Sequence, residues 1–400
     1  MGQILKSLTP AYGGYSIARD EKVILIRGAI PGEVVEVEIQ ERKRDYSLAR
    51  VVQVVEPSEH RVEPVCRVFG TCGGCQFQFI SYEKQLRMKE EILADSLGRI
   101  AKIELSLGET LSDVQWNYRQ RAQFKVSKTG EPGFFREASR DVVTFDDCPL
   151  MCREINVLLS KIKERDLARN LSDIHIAAGE TPVGLLKGKD FDATLLDAFV
   201  DAGLSGIAYN DSVAYGGAYT SFDLNGLRYA VSPWTFFQAH WALNRRVAGF
   251  IAEHLMPLEG RSILDLYAGA GNFSLPLASL AGEVTAVEES RYAAEDGKRN
   301  LELNGITNCR IIQSSAEKYR LSKKFDVFLL DPPRPGLTSD VVRKIMENPA
   351  GRVVYISCNP ATLARDLKKL KEKYEIESVR LIDFFPNTYH IEAIAFLTLK

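Results

Sequence analysis

Two stretches of this 400-residue sequence hold cysteines that could do chemistry. The first is Cys66-Arg-Val-Phe-Gly-Thr-Cys72-Gly-Gly-Cys75. A metal cluster needs thiolates converging from a chain that folds back tightly, which Gly73-Gly74 permits. Three thiolates fall one short of a four-thiolate site, and either Cys148 or Cys152 would complete it. Zinc sites usually place their ligands as two close pairs, so the three-plus-one arrangement favours a 4Fe-4S cluster over zinc. The second stretch is Tyr355-Ile-Ser-Cys358-Asn359-Pro360. The apolar run 352–356 reads as a buried strand that Pro360 terminates. Beyond it Leu363, Leu367 and Leu370 recur at helical spacing. A cysteine between a strand's carboxyl end and a helix stands where open α/β sheets bind their ligands. The plain alternative for Cys358 alone is an inert buried thiol.

The rest of the composition narrows the setting. A chain this long, 45% hydrophobic, can build two or three domains with real cores. Its net charge of −2 does not advertise nucleic-acid binding, so any basic surface must be local. No apolar run approaches the length of a membrane span, and no signal-peptide core follows the first residues. Gly2 is not in a lipidation motif, because Lys6 stands where Ser or Thr is needed. The seven cysteines are an odd number, unlike the even frameworks of small secreted domains. A soluble, cytoplasmic protein that meets no membrane is expected, and a monomer is presumed.

The elements that must position these residues fall into three segments. Residues 1–62 read as a small β-barrel of the OB type. Short Val- and Ile-rich strands are punctuated by Gly13-Gly14, Gly28 and Pro31-Gly32, and a basic loop runs from Glu41 through Arg44. Residues 63–230 carry the cysteine loop, a helix over 81–97 and a mixed α/β domain. In it, Asn117-Tyr-Arg119-Gln-Arg121 and Gly133-Phe-Phe-Arg136 interleave arginines with aromatics. That pattern suits phosphate contact and base stacking, or simply a solvated strand face. Residues 231–400 alternate strands with helices and read as a doubly wound α/β domain. A long helix is expected to open at Trp234 and run to about Leu255. The strand 262–267 runs into Ala268-Gly-Ala-Gly271-Asn272, where glycines let a ligand approach the backbone. The next strand ends at Glu288, placed to accept both ribose hydroxyls of an adenosine ligand. Another strand ends at Asp331-Pro332-Pro333-Arg334.

The glycine loop and Glu288 fit a dinucleotide dehydrogenase or an S-adenosylmethionine methyltransferase equally well, and the Asp331-Pro-Pro-Arg segment turns the choice to the second. With the four cysteines, Phe236-Phe237-Gln238, Tyr267–Asn272, Ser357-Cys358-Asn359-Pro360 and Phe385-Pro-Asn-Thr-Tyr-His390-Ile-Glu392, the chain resembles the RNA uracil-5-methyltransferase family. The match runs over nearly its whole length, in the family's order. The resemblance implies an amino-terminal TRAM barrel, a cluster-binding central domain and a Rossmann-like methyltransferase domain. It assigns Cys358 as the nucleophile that adds to uracil C6, and Glu392 as the base that removes the C5 proton. It assigns Gln238, Tyr267, Asn272, Glu288 and Asp331 to S-adenosylmethionine, and Cys66, Cys72, Cys75 and Cys148 to a 4Fe-4S cluster. The implied partner is RNA, ribosomal RNA ahead of transfer RNA. At three positions the chain departs from the family's habit, with His240 for Asn, Ala268 for Cys, and Ser315 for an acidic or amide residue. Rivals are an RNA cytosine-5-methyltransferase, which would carry a second cysteine where Arg334 stands, and a non-catalytic iron–sulfur RNA-binding protein.

Overall fold

The computed structural model describes residues 2–189 and 192–400. The amino-terminal unit is a six-stranded sheet whose edge strands, Gln3–Lys6 and Thr9–Ala11, are separated by only Ser7 and Leu8. A sheet whose two edges are joined by two residues has to curl on itself, which gives the barrel-like shape. Alternation does the rest. In Val23–Arg27 and Val34–Arg42 every second residue turns inward, so Ile24, Ile26, Val35 and Val37 form the barrel's own core.

The central unit is a seven-stranded sheet. Its middle strands, Arg121–Val126, Leu171–Ala178 and Pro182–Gly188, are covered on one face by the Arg153–Glu164 and Leu196–Ala202 helices. Two segments expected within this unit pack elsewhere. The Tyr82–Ser96 helix sends Ile92 and Leu93, with Leu97 just beyond, into the carboxyl-terminal core. The Thr220–Leu224/Leu227–Val231 hairpin also buries Phe222, Leu224, Tyr229 and Val231 against that domain.

In the carboxyl-terminal domain we number the strands β1 (Ser262–Leu266), β2 (Glu283–Glu288), β3 (Cys309–Gln313), β4 (Val327–Leu330), β5 (Arg352–Ser357), β6 (Tyr374–Ile382) and β7 (Glu392–Leu399). The helices are α1 (Trp241–Leu255), α2 (Ser274–Ala278), α3 (Arg291–Leu303), α4 (Ser339–Glu347) and α5 (Pro360–Leu370). The sheet order is 3-2-1-4-5-7-6, with β1 to β5 parallel and β7 antiparallel between β5 and β6. The parallel strands are buried on both faces, which is why they read as near-continuous apolar runs.

One boundary differs from expectation. Residues 234–240 are not helical, and α1 starts at Trp241. His240 is the cause: its Nδ1 accepts the Leu243 N–H as an N-cap, at 3.4 Å. With Nδ1 an acceptor, Nε2 carries the hydrogen that it gives to the Val114 carbonyl at 3.0 Å. The ring also stacks on Tyr118 with centroids 4.7 Å apart. The residue at this family-variant position thus ties the central unit to the carboxyl-terminal domain.

Candidate active site and cysteine cavity

Cys358 directly follows β5. Asn359 caps α5 by accepting the N–H groups of Ala361 and Thr362 at 3.0 and 3.4 Å, and Pro360 takes the first helical turn, where no N–H is needed. The antiparallel ladder between β5 and β7 pairs Ser357 with Ala393, and β6 pairs Ile382 with Glu392. Strand register therefore delivers Glu392, 34 residues further along the chain, to the end of the sheet that carries Cys358. Asp331, just after β4, completes the group.

The three side chains share one electrostatic field. Burial pushes the Cys358 thiol up to about 11, with Glu392 and Asp331 adding to the rise and Arg334 opposing it. Burial raises Glu392 to about 8, helped by Asp331 and Asp383 and opposed by Arg334 and Lys89. Asp331 is raised to about 7 by burial and by the Glu288 carboxylate. At rest near neutral pH the thiol is protonated, and the two acids sit within reach of gaining or losing a proton. Arg334 acts on both Cys358 and Glu392 and also touches the loop that precedes Glu392. Its Nη2 donates to His390 Nδ1 at 3.3 Å. Burial and Arg334 depress His390 to about 4, so the imidazole is neutral and can accept.

The loop that presents Glu392 is anchored by residues sequence reasoning missed. Lys89 and Asp383 form an ion pair at 2.6 Å with both side chains fully buried. Lys89 also donates to the Phe385 carbonyl, and Tyr82 donates to Asp383 Oδ2 at 2.9 Å. Gln85 brackets Asn387, donating to its Oδ1 at 3.1 Å and accepting its N–H at 2.9 Å. Breaking such a buried pair by removing one partner costs about 3–5 kcal/mol. Nothing local marks Lys89; it lies in a polar helix some 294 residues from its partner.

The cofactor side lies at the carboxyl ends of β1, β2 and β4. Tyr267 directly follows β1 with a left-handed φ of 68°, a conformation that non-glycine residues adopt at a cost and that recurs at functional sites. Glu288 holds the glycine loop, accepting the Gly269 N–H at 2.8 Å and the Ser290 N–H at 2.7 Å. Each carboxylate oxygen keeps a lone pair for a further donor. Gln238 is buried, and its Oε1 has no partner among the described residues, so it is free to meet a ligand's donor. Asn272 is turned instead toward α1, in a reciprocal pair with Asn244 at 2.7 and 2.9 Å. Ser315 accepts the Lys318 N–H at 3.3 Å as a turn cap. The unpartnered Gln238 oxygen, the two strand-end acids and the open glycine loop fit a cationic adenosine ligand.

Cys66, Cys72, Cys75 and Cys148 line one cavity, together with Val68, Phe69, Phe134 and Phe145. Gly73 allows the loop to lie against the neighbouring strand. Its N–H donates to the Phe135 carbonyl at 2.9 Å, and a Cβ there would stand 2.9 Å from that same oxygen. Gly74 donates to Cys72 Sγ. Burial pushes Cys75 up to about 12 and Cys148 to about 11. Cys152 does not line the cavity; it precedes the Arg153–Glu164 helix at its N-cap position. Among the described residues no three His, Cys, Asp or Glu side chains form a group that could hold a metal ion. The four cysteines expected to hold a 4Fe-4S cluster thus line one shared cavity without forming such a group.

A doubly wound sheet in the order 3-2-1-4-5-7-6, with acids at the ends of β2 and β4 and a glycine loop after β1, defines an S-adenosylmethionine-dependent methyltransferase of the Rossmann-like class. The family described as tRNA (uracil-5-)-methyltransferase matches residues 221–400, and the TRAM domain matches residues 7–52. The chain is 35% identical to a 23S rRNA (uracil(1939)-C(5))-methyltransferase, RlmD, of Methylococcus capsulatus, over 96% of this chain and 94% of that one. It is 34% identical to an uncharacterized RNA methyltransferase of Aquifex aeolicus, over 97% and 96% of the two chains. The crystal structure of Pyrococcus abyssi tRNA (uracil-54, C5)-methyltransferase with S-adenosyl-L-homocysteine matches with a TM-score of 0.78 and 25% identity, covering all of both chains. The chain belongs to the RNA (uracil-5-)-methyltransferase family. Among the described residues no helix is long and apolar enough to cross a membrane.

Proposed function

We propose that the protein methylates C5 of a uridine in large-subunit ribosomal RNA through a covalent adduct between Cys358 and uracil C6. The observation that carries this reading is the β5–β7 register, which brings a thiol and a buried, proton-exchanging carboxyl to one sheet end beside Asp331. Uracil C5 is a weak nucleophile. Cys358 gives up its proton to solvent and its sulfur adds to C6, which pushes the ring's electron pair toward C5 and O4 and makes C5 reactive. S-adenosylmethionine supplies the methyl group as an electrophilic sulfonium. Glu392 then takes the C5 proton, and the C5–C6 double bond re-forms as the C6–S bond breaks and the thiolate leaves. Gln238, Tyr267, Glu288 and Asp331 would hold the cofactor, with Asn272 positioned through Asn244. The target base has to leave its stack to reach a thiol at this depth.

Ribosomal RNA is favoured over transfer RNA by the likeness to RlmD at 35% identity against 25% for the transfer-RNA enzyme. The cytosine reading is disfavoured because Arg334, not a second cysteine, follows the Pro-Pro pair. We also propose that Cys66, Cys72, Cys75 and Cys148 hold a 4Fe-4S cluster. Four partly buried thiols around a shared cavity suit a cluster, whose ligands stand apart on its faces. Bound there, such a cluster would cross-link the loop to the central sheet, and no step above needs an electron from it. The test is methyl transfer from labelled S-adenosylmethionine to unmodified ribosomal and transfer RNA, with the product mapped by nucleoside analysis. 5-Methyluridine in ribosomal RNA supports the reading; label in cytidine, or in transfer RNA alone, overturns it.

A further inference from the structure

We infer that Tyr12, contributed by the barrel, forms part of the wall of the target-nucleotide pocket and stacks on the nucleotide presented to Cys358. This rests on the uridine-methylating reading above and adds to it a substrate contact from a different domain.

The Tyr12-Gly13-Gly14 loop is built for close docking. Gly13 and Gly14 have φ values of 94° and 83°, conformations open to glycine, so the loop turns tightly at the barrel's tip. Arg27 secures it from behind, donating to the Gly13 carbonyl at 3.2 Å and lying over the Tyr15 ring. Arg27 also pairs with Glu137 of the central domain at 2.5 Å. A Cβ on Gly14 would stand 3.1 Å from Cβ of Gln76, so the tip rests directly on the segment after the cysteine loop. That segment is in turn bound to the catalytic loop. The backbone N–H of Gln76 donates to the Asn387 carbonyl at 3.1 Å, and its side-chain oxygen accepts the Tyr389 N–H at 3.4 Å.

Tyr12 continues this contact as an aromatic run toward the site. Its ring meets Tyr389 edge-on, with centroids 5.6 Å apart and planes at 89°. Tyr389 leans on His390 at 4.4 Å, and His390 accepts from Arg334 two residues before Glu392. Arg334, Cys358 and Glu392 lie close enough for their charges to act on the Tyr12 phenol. A tyrosine that only sealed a domain interface would be covered. Tyr12 is 38% exposed. An aromatic ring held firmly on one side and open on the other, beside a thiol that must meet a flipped base, is a stacking platform.

The experiment compares the full-length protein with Tyr12→Ala, Tyr12→Leu and Tyr12→Phe. It measures kcat/KM for an RNA oligonucleotide, KM for S-adenosylmethionine, melting temperature and the rate of adduct formation with 5-fluorouridine RNA. Losing one base–aromatic stack should lower kcat/KM for RNA about 10- to 100-fold in Tyr12→Ala, and slow adduct formation in parallel. The KM for S-adenosylmethionine should not move. Tyr12→Phe should stay within about threefold of the unaltered protein, because it keeps the ring. Tyr12→Leu fills the same space without a π face, and should be impaired even if alanine loosens the barrel. Wild-type RNA kinetics in Tyr12→Leu would overturn the inference, as would a Tyr12→Phe loss as deep as that of alanine. In both cases uridine methylation by the unaltered protein would stand. Failure of the unaltered protein to methylate uridine would overturn the functional reading and this inference with it.

Discussion

The cysteine cavity and the Cys358 site both raise partly buried thiols far above the ordinary range, Cys75 to about 12 and Cys148 and Cys358 to about 11. Burial is the leading cause at each, so burial does not tell a ligand from a nucleophile. Their company does. Around Cys75 and Cys148 the interacting charges are other cysteines, with Arg119 nearby at Cys148. The thiols there stay protonated unless a cation between them favours the thiolates. Around Cys358 the neighbours are two carboxyls near their own titration ranges, with Arg334 opposing them. That is a site for moving protons, not for holding a metal.

The sharpest way to break the contrast is to remove one thiol from each side. Cys358→Ala should cut methyl transfer more than about a thousandfold, the scale on which loss of a nucleophile leaves binding intact. Calorimetric titration should still detect S-adenosylmethionine. Retained turnover in this variant would end the nucleophile assignment. Cys75→Ser should act the other way: anaerobically purified wild-type protein should be brown with about four irons per chain, and the variant should lose colour and iron while keeping measurable turnover. Equal iron in the two proteins, or stoichiometric zinc in both, would remove the cluster from the comparison.

Glu392→Gln probes the proton-handling side. A positioned base contributes about 10²- to 10⁴-fold, so release should slow by that factor and a covalent RNA adduct should persist on a denaturing gel. The pH dependence has a definite sign. Glu392 titrates at about 8 in the folded chain, above its ordinary 4.5. The unfolded chain therefore gives up this proton first as pH rises, and Glu392 costs stability increasingly between about pH 4.5 and 8. In denaturant unfolding, the Gln variant should gain on the wild type in going from pH 5 to pH 8.5. Wild-type turnover should climb over the upper part of that range as the carboxylate forms. A flat stability difference would mean that Glu392 is not the raised acid.

Local features were legible in the sequence and long-range ones were not. The glycine loop, the strand-end acids and the Ser357–Pro360 turn depend on neighbouring residues, and the structure places them where periodicity and turn chemistry put them. The helix expected from Trp234 failed because aromatic spacing imitates a helix, whereas the His240 cap holds residues 234–240 outside it. The Tyr82–Ser96 helix read as part of the central unit, since nothing in its own residues says that Lys89 will meet Asp383. The pairing of Asn272 with Asn244 depends on the facing of a helix, which spacing does not reveal. Pairing across hundreds of residues is a property of packing, and sequence order carries no trace of it.

Cys152 tests the contrast at its finest grain. It stands four residues after Cys148, and the sequence alone could not choose between them as the fourth ligand. In the structure it is buried in the apolar core of the central unit, away from the cavity its neighbour lines. Its thiol is raised to about 11 by burial, with the Ile155 N–H opposing and Glu154 adding to the rise, and no cysteine ranks among its leading influences. It is thus a third kind of buried thiol, with neither thiol partners nor an acid pair. Cys152→Ala should remove little more than packing, about 1 kcal/mol of stability, and leave iron content and turnover unchanged. Cys148→Ala, a truncation of the same size four residues away, should lose the iron. If Cys152→Ala loses it instead, the company a thiol keeps is not what separates ligand from filler in this fold.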